Sequence, residues 1–90
     1  MPRRKALVLE EGGERFRFYY DDESTRLLHV ESRGTTTVDA IRTFFEGQTI
    51  GWQEEHARWL TITATHGIFW TRHAYDGSII IISCFERGGE

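Results

Sequence analysis

In 90 residues the chain carries one proline, one cysteine and one lysine. Each scarcity removes a class of protein. A single cysteine closes no disulfide within the chain, and with four scattered histidines it lacks the clustered spacing of a structural zinc site. The expected setting is a reducing cytoplasm, with no cofactor and no metal. With one proline and no low-complexity tract, the composition is that of a folded chain. Lys5 is the only lysine and the formal net charge is -3, so there is no basic groove for a phosphate backbone, and nucleic acid is not an expected partner. No apolar run approaches the roughly 20 residues that cross a bilayer, and residues 1–5 are not followed by an apolar stretch of signal-peptide length. The basic tip at residues 2–5 reads as a solvated end, and no membrane association is expected.

What remains is apolar and aromatic. Hydrophobic residues make up 39% and aromatic residues 13% of the chain, enough for one core of large side chains. The length gives a single small α+β domain over residues 1–90, with a radius of gyration near 12 Å. The stretch 6–20 predicts a hairpin, because Gly12 and Gly13 supply the positive φ angles of a two-residue turn. Centring the turn there sets Leu9 against Phe16 and Leu7 against Phe18 on an apolar face. Glu10 then opposes Arg15, and Val8 opposes Arg17, on a mostly charged face. The sequence RLLHVES (residues 26–32) reads as a third strand.

Thr36 and Asp39 have the spacing of a capping box, and Val38, Ile41 and Phe45 fall on one stripe, flanked by Phe44. Gly47 is the natural stop of this helix of about ten residues, which is too short to persist undocked. Residues 48–57, QTIGWQEEHA, read as an irregular loop or a short helical turn around Glu54 and Glu55. Beyond them a three-stranded meander is predicted, with turns at His66–Gly67 and Asp76–Gly77. The expected fold is an antiparallel sheet of about six strands in β-β-β-α-β-β-β order, with one helix packed on one face.

Opposed residues share a face. The two turns therefore collect Leu60, Ile62, Ala64, Phe69, Thr71, His73, Tyr75, Ile80, Ile82 and Cys84 on one side, which is expected to take the helix. Trp59, Thr61, Thr63, Thr65, Ile68, Trp70, Arg72, Ala74, Ile79, Ile81, Ser83 and Phe85 collect on the other. That second side is too apolar for open water, and it brings Arg72 near Trp59 and Trp70, where a guanidinium stacks on indole. Trp59, Trp70, Arg72, Ile79 and Ile81 are therefore the expected binding surface.

Three functions follow from these groups. The first is a non-enzymatic interaction module using the aromatic and arginine face for homodimerisation or for a protein partner. The second is a small metal-independent ribonuclease or toxin-like enzyme, with His73 and Tyr75 moving protons and Arg72 stabilising charge beside Asp76. Strand alternation counts against it, since Arg72 and His73 point to opposite faces. The third is a small-ligand pocket between helix and sheet, around Phe44, Phe45, His73 and Tyr75. Cys84 is expected to be buried and inert, with no base within reach.

Overall fold

The computed structural model describes residues 5–22 and 24–88. Of the basic tip at residues 2–5, only Lys5 is among them. The N-terminal hairpin forms in the register its turn dictates. Strand β1 (Ala6–Glu11) pairs antiparallel with β2 (Glu14–Asp22), Leu9 opposite Phe16 and Leu7 opposite Phe18, around Gly12 and Gly13 at φ 56° and 83°. Phe16 and Phe18 are fully buried, and Arg15 and Arg17 alternate to the other side.

The expected third strand is only two residues long. Leu27–Leu28 form β3, which pairs with the end of β2, and the chain then turns into the single-turn helix α1 (His29–Ser32). The Leu28 N–H donates to the Glu31 carboxylate, closing that turn, and Val30 is buried with Leu28. Helix α2 (Thr37–Glu46) begins at the predicted capping box. The Asp39 N–H donates to Thr36 Oγ1 at 3.1 Å, and the Thr36 N–H donates to Asp39 Oδ2 at 3.0 Å. Its buried stripe is rolled from the expected one. Ala40 and Thr43 face the sheet, while Val38 is 60% and Phe45 47% exposed. Small residues at the contact let the helix lie close to the strand that carries Ile62, where a Cβ on Gly47 would stand 2.7 Å from the Ile62 carbonyl oxygen.

Residues 48–57 are not a loop throughout. Gln48–Gln53 form strand β4, and the expected short turn follows as one turn of 3-10 helix over Glu54–His56. Then come β5 (Arg58–Ile62), β6 (His66–Arg72) and β7 (Ile79–Glu86). The sheet order is β1-β2-β7-β6-β5-β4, with β3 beside β2. All neighbours are antiparallel except β2 and β7, which run parallel with Phe16 opposite Ile79 and Phe18 opposite Ile81. Among the described residues the small α+β domain thus has a sheet of about six strands as expected, seven with the two-residue β3, but the sheet is mixed and not purely antiparallel, and two helices share one of its faces. Its radius of gyration is 12.8 Å.

The meander turns are wider than two residues. Ile62 pairs with Gly67, and the turn opens at Thr63, whose hydroxyl accepts from the His66 N–H. Arg72 pairs with Ile79, so residues 73–78 form a loop, closed by His73 N–H to Ser78 O at 2.8 Å. Both shifts are even in residue number and keep the face partners together. Trp59 therefore shares a face with Trp70, and Leu60 with Phe69, as expected, although each now pairs directly with the other, where a two-residue turn would have set Leu60 opposite His73 and Phe69 opposite Ala64. A bulge in β7 then reverses the alternation, because Trp70 pairs with Ile81 but Phe69 with Ser83. This puts Cys84 beside Ile68, on the side of Ile79 and Ile81.

The face assignment itself is inverted. Helix α2 covers the side of Thr61, Ile68, Trp70, Ile79, Ile81 and Cys84, which together with Phe16, Phe18, Leu28, Val30 and Ala40 is the core. β2 joins β7 on this side with two phenylalanines, and Phe44 packs edge-on to both Phe16 and Trp70, at 5.3 and 5.0 Å. The hydrocarbon brought by the hairpin decides where the helix docks, and the meander taken alone does not contain that information.

Candidate interaction surfaces

The core also accounts for the polar groups beneath the helix. The Trp70 indole N–H donates to Thr61 Oγ1 at 2.8 Å, and the Thr61 and Thr49 hydroxyls are 2.7 Å apart. The threonines therefore satisfy a buried indole and tie β4 to β5. Thr35 is likewise buried, its hydroxyl donating to the Val30 carbonyl at 2.7 Å.

Of the residues expected to form the binding surface, Ile79 and Ile81 are core, at 0% and 3% exposure, and Trp70 is 8% exposed. They do share a face with Trp59 and Arg72, but that face is the one the helices close. Only its two margins reach solvent. At one, Trp59 is 37% exposed and lies between Trp70, on which it stacks at 6.1 Å and 27°, and Trp52, whose ring is tilted against it at 4.9 Å. At the other, Arg72 lies 5.9 Å from the Trp70 ring, donates to the Gly77 carbonyl at 2.9 Å and pairs with Glu14 at 3.4 Å.

His73 is not in the core, because the wider β6–β7 loop removes it from the strand. Its Nδ1 accepts from the Tyr75 N–H at 3.2 Å and lies 3.5 Å from Asp76 Oδ1, while Tyr75 is 95% exposed. The Arg72 and His73 side chains make separate sets of contacts, Arg72 from the end of β6 and His73 from the loop that follows it. The aromatic pair Phe44 and Phe45 contacts Phe16 and Trp70, whereas Tyr75 contacts His73, so the four residues of the expected ligand pocket divide into two clusters. A groove of about 420 Å³ does flank the helix, between Leu9, Glu10 and Glu11 of β1 and Val38, Ile41, Arg42 and Phe45 of α2. Cys84 is buried, and that burial pushes its thiol above the ordinary cysteine pKa.

The opposite side of the sheet, expected to be covered, is open. Leu60, Ile62, Phe69, Thr71, Ile80 and Phe85 face outward and are only half-buried. None of them belongs to the core cluster. Phe85 lies flat on Gly67, where a Cβ would collide with its ring, and its own ring is 5.8 Å from Phe69. The charges bordering this face are already engaged. Arg58 stacks on Phe69 at 3.8 Å and donates to Gln53 at 2.9 Å. Arg17 binds Asp76 at 2.7 Å and Ser78 Oγ at 2.8 Å, and Arg15 binds Glu10 at 3.0 Å. Asp76 is correspondingly held well below the usual carboxylate range, first by the Ser78 hydroxyl and N–H and then by Arg17.

A second feature escaped the sequence reading entirely. β4 is a terminal strand of the sheet, and five of its six residues are exposed, Ile50 at 54% and Trp52 at 43%. Among the described residues no strand pairs with its outer side. The signal was present in Thr49, Ile50 and Trp52, all strand formers, but Gly51 and a bulge at Ile50 interrupt the period of two.

Among the described residues no helix is long and apolar enough to cross a membrane, and no group of three or more His, Cys, Asp or Glu side chains is placed to hold a metal ion. No protein-family model, curated protein or solved structure matches the chain.

Proposed function

We propose that the protein is a small non-enzymatic interaction module that pairs with a second copy of itself through the open face of its sheet. The observation that carries this reading is that both helices lie on one face, leaving Leu60, Ile62, Phe69, Ile80 and Phe85 uncovered on the other. Contiguous apolar surface of this kind is the ordinary mark of a protein contact. Six strands about 4.8 Å apart and about five residues long cover roughly 29 by 17 Å. That projected footprint is roughly 490 Å², below the roughly 800 Å² per partner of a standard interface, so the apolar centre on β5, β6 and β7 would be completed by the polar margins of β1, β2 and β4.

Charge favours a second copy over an oppositely charged partner. The arginines at the margin of the face are all engaged within the chain, so the surface presents no unpaired field for a foreign partner to match. An apolar sheet face is self-complementary, and two such faces pack about 10 Å apart with their strands within about 30° of alignment. The test is the solution mass of wild type and of Ile80→Lys across a range of concentrations, with Val38→Lys on the exposed side of α2 as control. The expected outcome is a dimer for wild type and Val38→Lys, and a folded monomer for Ile80→Lys. A wild-type monomer at all concentrations, or a dimer unaffected by Ile80→Lys, removes the reading; a wild-type monomer that binds a different protein through Ile80 would assign the face to a foreign partner.

A further inference from the structure

We infer that β4 is a docking edge for a short, positively charged, extended segment of another protein, which joins the sheet as a further strand. This inference concerns the edge of the sheet and stands independently of what covers its open face.

An exposed strand edge presents unpaired N–H and C=O groups to any extended chain, and folded proteins commonly protect such edges with lysine, proline or inward-pointing charge. Strand β4 has none of these. Gln48–Gln53 contains no charged residue and no proline, and among the described residues no strand pairs with one side of its backbone. Its one protective device is the bulge at Ile50, which raises the local twist and so disfavours long, flat stacking of edges. A segment of about six residues can follow that twist.

The charge around the edge selects the partner. Residues 43–57 contain three glutamates and no lysine or arginine, and the glutamates stand at both ends of the strand, Glu46 before it and Glu54 and Glu55 after it. All three are exposed. Arg58, the nearest cation after the strand, is occupied with Gln53 and the Phe69 ring on the outer face. The same arrangement disfavours a second copy at this edge. Antiparallel pairing of two β4 strands about Ile50 and Gly51 would set Glu46 of each copy against Glu54 and Glu55 of the other, and opposed like charges destabilise a sheet pair. A foreign strand with basic residues at its ends meets the opposite situation, in either direction of pairing.

The helix-side face of the edge adds a second recognition element. Trp52 and Trp59 are both partly exposed, their rings 4.9 Å apart. Trp52 is the outermost of this row, so a side chain of the incoming strand on the same face would lie across it as a cross-strand neighbour. An arginine there would place its guanidinium on the indole.

The probe is the blocked peptide acetyl-Lys-Thr-Val-Arg-Val-Thr-Lys-amide, with a matching peptide in which glutamate replaces each basic residue. Binding is read from the fluorescence of Trp52 and Trp59, and its place from amide hydrogen exchange of residues 48–53. The basic peptide is expected to bind saturably, to slow exchange within residues 48–53 several-fold, and to weaken as salt is raised. The double variant Glu54→Lys with Glu55→Lys, which alters only exposed positions, is expected to lose about tenfold in affinity for the basic peptide and to gain affinity for the acidic one. Equal binding of both peptides, protection only outside residues 48–53, or no binding of either peptide would each overturn the inference. So would an oligomer of the protein that the peptide disperses by freeing β4.

Discussion

Across β5, β6 and β7 the two faces of the sheet are both largely apolar and end in opposite situations. On one, Phe16, Ile68, Trp70, Ile79 and Ile81 are sealed beneath α2. On the other, Leu60, Ile62, Phe69, Ile80 and Phe85 are half-buried, and among the described residues no helix lies over them. Composition does not separate the faces, and neither does alternation within the meander. What separates them is the hairpin, which lies parallel along β7 and commits Phe16 and Phe18 to the side of Ile79 and Ile81. The lesson is that a strand apolar on both sides, such as Ile79–Ile82, belongs in the middle of a sheet and has two surfaces to satisfy, only one of which this chain covers itself.

The sharpest way to break the comparison is a matched truncation across the two faces. Ile79→Ala empties a fully buried site and is expected to cost about 2–4 kcal/mol, whereas Ile80→Ala on the open face should cost about 1 kcal/mol or less in the monomer. Urea denaturation at low protein concentration reads both. Equal losses would mean that the open face is as tightly packed as the core.

Next in size is Thr61→Val, which keeps the volume but removes the acceptor of the Trp70 indole and the partner of the Thr49 hydroxyl. Leaving an indole N–H unsatisfied in the core is expected to cost about 1–3 kcal/mol, and Trp70 fluorescence should shift with it. An unchanged midpoint of denaturation would mean that water replaces the hydroxyl. Gly67→Ala probes the open face in the same range. Its methyl would meet the Phe85 ring, and an overpacked contact costs about 1–3 kcal/mol. Combining Gly67→Ala with Phe85→Ala should recover part of that loss, which a double-mutant cycle would show. Additive losses would contradict the contact.

The smallest expected effect is in acid. The carboxyl of Asp76 is held below its unfolded pKa by Ser78 and Arg17, so it stabilises the fold above about pH 4 and that contribution is lost as the pH falls toward its folded value. Asp76→Asn should therefore lower stability at neutral pH and flatten the decline below about pH 4. A parallel decline in both proteins would show that the loop's carboxylate is not coupled to folding.

How legible all this was in the sequence varied with the range of the interactions. Gly12 and Gly13 set the hairpin register outright, and Thr36, Asp39 and Gly47 set both ends of α2, because each is decided within a few residues. That Trp59 and Trp70 share a face was also recoverable, though their direct pairing was not, since a shift of even length changes the partners and leaves the faces unchanged. The parallel contact between β2 and β7 joins residues more than 60 apart and leaves no local trace, and with it went the side on which the helix lies. The bulges at Ile50 and in β7 break the period of two just where it was being read, which hid β4 and moved Cys84 across the sheet. His73 and Tyr75 left the strand for the same kind of reason: a loop of six residues closes by His73, Asp76 and Ser78 where Asp76–Gly77 alone promised a tight turn.

The most direct measurement of the central claim is an isotope-filtered NMR experiment on an equal mixture of labelled and unlabelled chains. If two copies meet through the open face, intermolecular contacts will join the methyl groups of Leu60, Ile62 and Ile80 to the rings of Phe69 and Phe85. Intermolecular contacts confined to Val38, Phe45 or Trp52, or none at all at millimolar concentration, would contradict it.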